Sequence, residues 1–189
     1  MLAIETVAVI GSGGDAHGCA ILAALGGATV RLHHPAHDSL DRCFERLRFQ
    51  VDLGVERGLL TRSDRQTILD GILVTPDLEE AVVGADLVAD LDLDREGAEG
   101  GRRAGGGPPL LPVVELVRAT AALAAPGAAA AEALAAAIAH PGRVLSVGID
   151  GSRGYARVAV AAIAPTSRHV LDGAAAWADR INLRGGRAG

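Results

Sequence analysis

The sequence predicts an α/β chain folded as a doubly wound, mostly parallel sheet in a single domain, and three observations carry that prediction. First, an apolar β-type run, Val7-Ala8-Val9-Ile10, feeds directly into Gly11-Ser12-Gly13-Gly14-Asp15-Ala16, and a helical apolar pattern at Cys19, Ala20, Leu22, Ala23 and Leu25 follows. Strand, glycine turn and helix in that order are the context in which G-x-G-x-x-[G/A] becomes a dinucleotide-binding fingerprint. Second, strand and helix patterns alternate through the first half, which implies parallel pairing through crossover helices. Third, 189 residues with 49% hydrophobic content are enough to bury one sizeable core.

The elements follow in order. A first strand is expected over Ile4–Ile10 and a helix up to Leu25, closed by Gly26-Gly27 before a second strand at Ala28–His33. Asp38 is placed to cap an amphipathic helix running to about Leu53, and Gly58 interrupts the pattern. Thr61-Arg62-Ser63-Asp64 reads as a capping box opening a helix to Leu69. Ile72–Thr75 is a short strand, Asp77–Val83 a short helix entered through Pro76, and Asp86–Leu93 a fourth strand. Arg95–Pro109 is rich in glycine and reads as a flexible surface loop, while Leu110–Leu123 is apolar without a period that separates helix from strand. A helix at Ala129–Ala139, strands at Val144–Ile149 and Tyr155–Ile163, and a last helix at Thr166–Leu183 complete a Rossmann-like domain of residues 1–183. Residues 184–189 are expected to be a disordered tail.

Composition narrows the function classes. Aromatic residues are only 2% and the net charge is −5, so stacking platforms and a phosphate-backbone footprint are both missing and nucleic acid is not an expected partner. All 18 basic residues are Arg, which excludes a Schiff-base or Walker-type lysine. Cys19 and Cys43 lack metal-ligand spacing and read as reduced thiols. Neither a secretory leader nor a membrane span is expected, because the longest apolar stretch, Ala119–Ala139, is broken by Pro126, Gly127 and Glu132; a cytoplasmic protein follows from that reading.

The cofactor-binding candidates are Gly11, Gly13, Gly14, Ala16 and His34. Gly11 permits the tight turn, Gly13 the approach of a pyrophosphate to the backbone, and Ala16 the close packing of helix on sheet. A carboxylate normally stands about 20 residues past the glycines to hold the adenosine ribose. The second strand here ends Arg31-Leu32-His33-His34, so His34 occupies that place and NAD or NADP remains open. Arg31, His33 and His34 could meet a 2′-phosphate, the plainer reading being a polar strand end. Asp15 is expected to cap the helix and compete with an anion for its N–H groups.

Val7-Ala-Val-Ile-Gly-Ser-Gly, Val55-Glu-Arg-Gly-Leu-Leu-Thr and Val74-Thr-Pro-Asp-Leu-Glu-Glu-Ala-Val-Val-Gly-Ala-Asp-Leu-Val, with Ala135-Ala-Ala-Ile-Ala-His-Pro-Gly-Arg-Val-Leu and Pro165-Thr-Ser, together resemble the N-terminal NAD-binding domain of the 3-hydroxyacyl-CoA dehydrogenase family. The resemblance skips about Arg95–Ala125. It implies a nicotinamide cofactor, an acyl-thioester substrate and a Ser, His, Glu and Asn set for the redox step. The histidine's place in the family's His-Phe-Phe-Asn-Pro run is taken by the Gly148-Ile149-Asp150-Gly151-Ser152 segment. The glutamate twelve residues on falls at Val160, and the serine near Gly127 or Ala128. None of these side chains moves a proton or holds a carbonyl oxygen. The family's C-terminal helical domain has no counterpart in the sequence as read.

Three functions follow as expectations. One is a catalytically degenerate protein that binds a ligand or scaffolds a homo-oligomer or protein partner over its open cleft. Another is a repurposed non-redox enzyme, a cyclase, isomerase or hydratase on a small-molecule, acyl-thioester or polyketide-like intermediate, needing no cofactor and using Asp94, Asp150 and Tyr155. The third is a dehydrogenase completed by a partner chain. Asp90, Asp92 and Asp94 alternate at the end of the fourth strand, where a solvated strand end is the plainer reading. No metal site is expected there, because Arg95 breaks the calcium-loop pattern. Nor is one expected at His33, His34 and His37. His17 is expected to face an anion or solvent.

Overall fold

A computed structural model describes residues 3–11, 13–34, 40–91, 121–150 and 157–185, the side chains of Asp150 and of residues 183–185 excepted. The elements are β1 (Thr6–Ile10), α1 (Gly14–Leu25), β2 (Thr29–His33), α2 (Leu40–Glu56), α3 (Arg62–Gly71), β3 (Ile72–Thr75), α4 (Leu78–Val82), β4 (Leu87–Asp90), β5 (Ala122–Pro126), α5 (Gly127–Ala137), a 3-10 turn (Pro141–Arg143), β6 (Val144–Asp150), β7 (Arg157–Ala162) and α6 (Arg168–Gly185). The strands form one seven-stranded sheet in the order β3-β2-β1-β4-β5-β6-β7. All neighbours pair in parallel except β6 and β7, which are antiparallel in the register Gly148↔Ala159. The doubly wound, mostly parallel sheet anticipated from the strand–helix alternation is therefore present.

Alternating side chains of the central strands feed two cores, one on each face of the sheet. Val7 and Val9 of β1 point into a core shared with α1, α2, α3 and α6, and Ala8 and Ile10 into a second one under α4 and α5. Strands buried on both faces read as continuous apolar runs, which is why β1 and β4 were visible in the sequence. β5 is the instructive exception, since Ala122–Ala125 is made of residues that favour helices. Its residues Ala122, Leu123, Ala124 and Ala125 are all 0% exposed, so burial between β4 and β6 decides the conformation and small side chains let helices close over both faces. The following helix starts two residues earlier than expected, at Gly127, whose φ of 71° makes the turn out of β5.

Other boundaries move for identifiable reasons. The capping box of α3 forms as expected: the Thr61 hydroxyl accepts the Asp64 N–H at 3.0 Å and the Asp64 carboxylate accepts the Thr61 N–H at 2.8 Å. Asp77 caps α4 through the N–H groups of Glu79 and Glu80. β4 is shorter than the Asp86–Leu93 expectation; Asp86 instead turns its carboxylate to the N–H groups of Glu5 and Thr6, tying the starts of β1 and β4 together. α2 runs on to Glu56, and its expected cap, Asp38, lies outside the described residues, as does the Arg95–Pro109 loop. Arg184 and Gly185, expected in a disordered tail, belong to α6; residues 186–189 lie outside the description.

α6 is long because both its ends and its middle are anchored. Thr166 Oγ1 donates to the Val144 carbonyl and accepts the Ile163 N–H, fixing the approach to the helix. Asn182 accepts the Val158 N–H at 2.9 Å and donates to the Val158 carbonyl at 2.8 Å, so a side-chain amide occupies backbone groups of the edge strand β7. Between them Trp177 and Ile181 are buried against α1. The contact is close enough that a Cβ built on Gly26 would meet Ile181 Cγ2 at 2.1 Å.

α1 and α2 meet through a polar contact inside an apolar seam. His17, expected at an anion or in solvent, is instead only 3% exposed, and its Nε2 lies 3.4 Å from the Sγ of the equally buried Cys43. Burial first, then the charges of Arg46 and His34, hold the imidazole below its ordinary value of 6.5. The folded chain therefore keeps His17 neutral, while the unfolded chain protonates it as pH falls through about 6.5.

Two outcomes test this packing. Gly26→Ala should cost about 1–3 kcal/mol in a denaturant titration, and combining it with Ile181→Ala should show a coupling that two independent sites would not. The His17 contribution to stability is complete above pH 6.5 and is lost as pH falls below it. Denaturation midpoints for His17→Leu should consequently decline less than those of the unmodified chain between pH 7.5 and 5, and parallel curves would refute the assignment.

Candidate functional site

In an open α/β sheet ligands bind outside the carboxyl ends of the strands where the strand order reverses. Here that point lies between β1 and β4, because β1 is followed on one side by β2 and β3 and on the other by β4 and β5. Gly11, directly after β1, has φ 147°, a conformation closed to other residues in practice, and its N–H reaches the His33 carbonyl at 3.4 Å. Gly13 is the N-cap of α1 at φ −87° and ψ 174°, with no side-chain cap bond. The sequence-based expectation that Asp15 caps this helix is thus corrected: Asp15 is an exposed residue of the first turn. The helix N-terminus, with its backbone donors and positive dipole end, is left uncapped by side chains among the described residues. A Cβ on Gly14 would meet nothing within 4 Å, so the space above the first turn is open. Ala16 is 1% exposed and packs into the core, the role its size suggested.

The floor and far side of the crevice are formed by polar strand ends. Asp90, the last residue of β4, pairs in register with Ile10 and is 0% exposed. It is engaged within the fold, contrary to the solvated strand end expected for Asp90, Asp92 and Asp94. Asp92, Asp94, Tyr155 and the side chain of Asp150 lie outside the described residues; the backbone of Asp150 ends β6, opposite Arg157. His34 follows β2, half-buried, and donates its backbone N–H to the Thr75 carbonyl at 3.0 Å. Arg31 is turned away from this end: its guanidinium donates to the carbonyls of Glu80 and Val83, at 3.2 and 2.5 Å, so it ties β2 to α4. No group of three or more metal-ligating side chains occurs among the described residues.

The geometry adds residues that sequence reasoning passed over. Arg46 lies one turn beyond Cys43 on α2, exposed, and its charge acts on both His17 and Cys43. The i,i+3 spacing of Cys43 and Arg46 was readable, but it acquired meaning only once Cys43 was seen against α1.

On the other side of the switch point, the positions that the resemblance gives to proton-handling groups fall just after β5, in the second half of β6 and in the middle of β7. Gly127 opens α5, Gly148 stands exposed on β6, and Val160 is half-buried on β7 against the α1–α6 core. A Cβ on Gly148 would meet nothing within 4 Å, so this part of the crevice is open. No helix among the described residues is long and apolar enough to cross a membrane.

Comparison with known proteins agrees with this geometry. Residues 6–92 match the family model described as "3-hydroxyacyl-CoA dehydrogenase, NAD binding domain". No curated protein matches the chain. Among solved structures, 3-hydroxybutyryl-CoA dehydrogenase of Escherichia coli K12 is 24% identical with a TM-score of 0.78, covering 96% of this chain and 37% of its own. M. tuberculosis FadB2 is 21% identical with a TM-score of 0.78, covering 95% and 61%. (S)-3-Hydroxybutyryl-CoA dehydrogenase PaaH1 of Ralstonia eutropha is 17% identical with a TM-score of 0.77, also covering 95% and 61%. The chain thus spans between 37% and 61% of the length of these relatives. The chain has the Rossmann fold of these proteins, and its residues 6–92 are similar to the NAD-binding domain of the 3-hydroxyacyl-CoA dehydrogenase family.

Proposed function

We propose that this chain binds a nicotinamide dinucleotide at the β1–α1 turn and does not itself transfer a hydride to or from an acyl thioester. The observation that carries the first half is the uncapped N-terminus of α1 behind Gly11 and Gly13, at the switch point of the sheet. Gly11, Gly13 and Gly14 would bring backbone close to the pyrophosphate, whose charge the helix end favours, and Ala16 keeps the helix near the sheet. When bound, the dinucleotide would supply redox chemistry. What this chain offers toward it is binding and orientation.

The second half rests on the side chains at Gly148, Val160 and Gly127 or Ala128. A ketone accepting hydride must also be given a proton at oxygen, which requires a group that can ionise or donate near the working pH. Glycine, valine and alanine offer none. The open crevice around Gly148, Ala159 and Ser146, all off the α1–α6 core, is the surface over which a second copy or a protein partner would close.

Titration of the purified chain with NADH and NADPH, followed by nucleotide fluorescence, should show saturable binding of one or both. Gly13 has backbone angles open to any residue, so Gly13→Val should fold with about 1 kcal/mol or less of lost stability while dinucleotide affinity falls at least about tenfold, a loss of ~1.4 kcal/mol. Addition of a 3-ketoacyl thioester should leave the nucleotide unoxidised; steady oxidation would sink the non-redox reading. For the partner surface, light scattering at high protein concentration should return a mass above the monomer, and a strict monomer that also captures no second protein would count against it.

A further inference from the structure

We infer that the adenosine end of the site selects the 2′-phosphorylated dinucleotide, with Arg46 supplying the charge that holds the phosphate. This rests on the dinucleotide-binding reading above and names the ligand within it. A site for the unphosphorylated ribose needs an acceptor at the end of β2, because the two ribose hydroxyls are donors there; a carboxylate is the usual answer, and it would repel a 2′-phosphate. At that place this chain has His34, whose backbone N–H donates to the Thr75 carbonyl and holds the residue at the sheet. The residue before it, His33, is also a histidine, and Gly11 joins its carbonyl, so the strand end and the glycine turn are directly connected.

The charge comes from α2. The 3.4 Å contact between Cys43 and His17 presses the start of α2 onto the first turn of α1. Arg46, one turn further on, is exposed beside this contact, within electrostatic reach of His17. None of the ion pairs among the described residues uses Arg46; the cations so engaged are Arg65 with Asp52 and Arg168 with Asp172. Its neighbours Asp41 and Glu45 on the same helix are exposed and make no bond to it. An arginine without a carboxylate partner among the described residues, whose charge reaches the same buried His17 as does the imidazole that stands in place of the acid, is the arrangement in which a phosphate gains and a bare ribose does not. Arg31, on β2 itself, is already committed to the carbonyls of Glu80 and Val83 and takes no part.

The test uses the full chain and four probes: NADPH, NADH, 2′,5′-ADP and 5′-ADP. NADPH should bind about tenfold or more tighter than NADH, and 2′,5′-ADP should compete better than 5′-ADP by a similar factor. Arg46→Gln should lower NADPH affinity about tenfold and leave NADH within about twofold, which a merely structural role for Arg46 would not do. Arg48→Gln, on the opposite face of α2, should change neither. His34→Asp should move the preference toward NADH. Equal binding of the two dinucleotides, or an equal loss of both in Arg46→Gln, would overturn this inference while leaving dinucleotide binding intact; failure of all four probes to bind would remove the reading beneath it.

Discussion

The turn at Gly11 is the constraint on which the remainder of the molecule depends. β1 is an inner strand of the sheet, paired in parallel on both sides, and the chain must leave it and reverse into α1 within three residues. The φ of 147° that accomplishes this is available to glycine and scarcely to anything else. Its consequence is architectural as well as chemical. Because the turn is so short, α1 is held against β1 by Ala16, Cys19, Ala20 and Ala23, and it becomes the surface on which α2, α3 and α6 all pack. The same turn leaves the helix N-terminus facing the switch point without a side-chain cap among the described residues. The core and the candidate ligand site are therefore two results of one backbone requirement.

Small side chains are the complementary feature. With 2% aromatic residues, the domain achieves close packing by bringing helices near the sheet rather than by filling a wide gap. Three of the five residues of β5 are alanine, and α1 presents alanines to one core and α5 to the other. The single tryptophan is spent on α6, where Trp177 and Ile181 lock the last helix against the first. Asn182 then secures the edge strand β7. Strands β6 and β7, which bear the positions Gly148 and Val160, are backed by α6 on one face, while on the other α5 covers the start of β6 and Gly148 and Ala159 are exposed.

Much of this was legible in the sequence, for reasons that differ by element. β1, β2, β3 and β6 announced themselves by buried apolar runs, and the caps at Thr61 and Asp77 by local hydrogen-bonding chemistry that needs no tertiary context. β5 was not legible, because Ala122–Ala125 has helical propensity and only its place between two strands makes it extended. The site was partly legible. Gly11, Gly13, Gly14 and Ala16 fall at the β1–α1 turn and the start of α1, as the contiguous strand, turn and helix implied. His17, Asp15, Asp90 and Arg46 were misjudged or missed, because burial and long-range neighbours, not spacing, decide what they do: a histidine in a first helical turn is anion-facing or buried according to whether another helix covers it.

The coverage by α2 also explains why the two halves of the crevice diverge chemically. On the β2 side, polar groups are engaged within the fold: the His17 ring lies against Cys43, the Arg31 guanidinium donates to the carbonyls of Glu80 and Val83, and His34 is held through its backbone N–H to Thr75. On the β6 side, Gly148 and Ala159 are exposed, carry no functional group, and sit on a supported but uncovered strand pair. A reaction centre needs its proton-handling groups both present and shielded from water, since fixed dipoles act strongly only where water is excluded. A binding site for a charged dinucleotide does not. Among the described residues, the fixed polar side chains lie on the β2 side and none stands at Gly148 or Ala159, and the proposal of binding without turnover draws on that asymmetry.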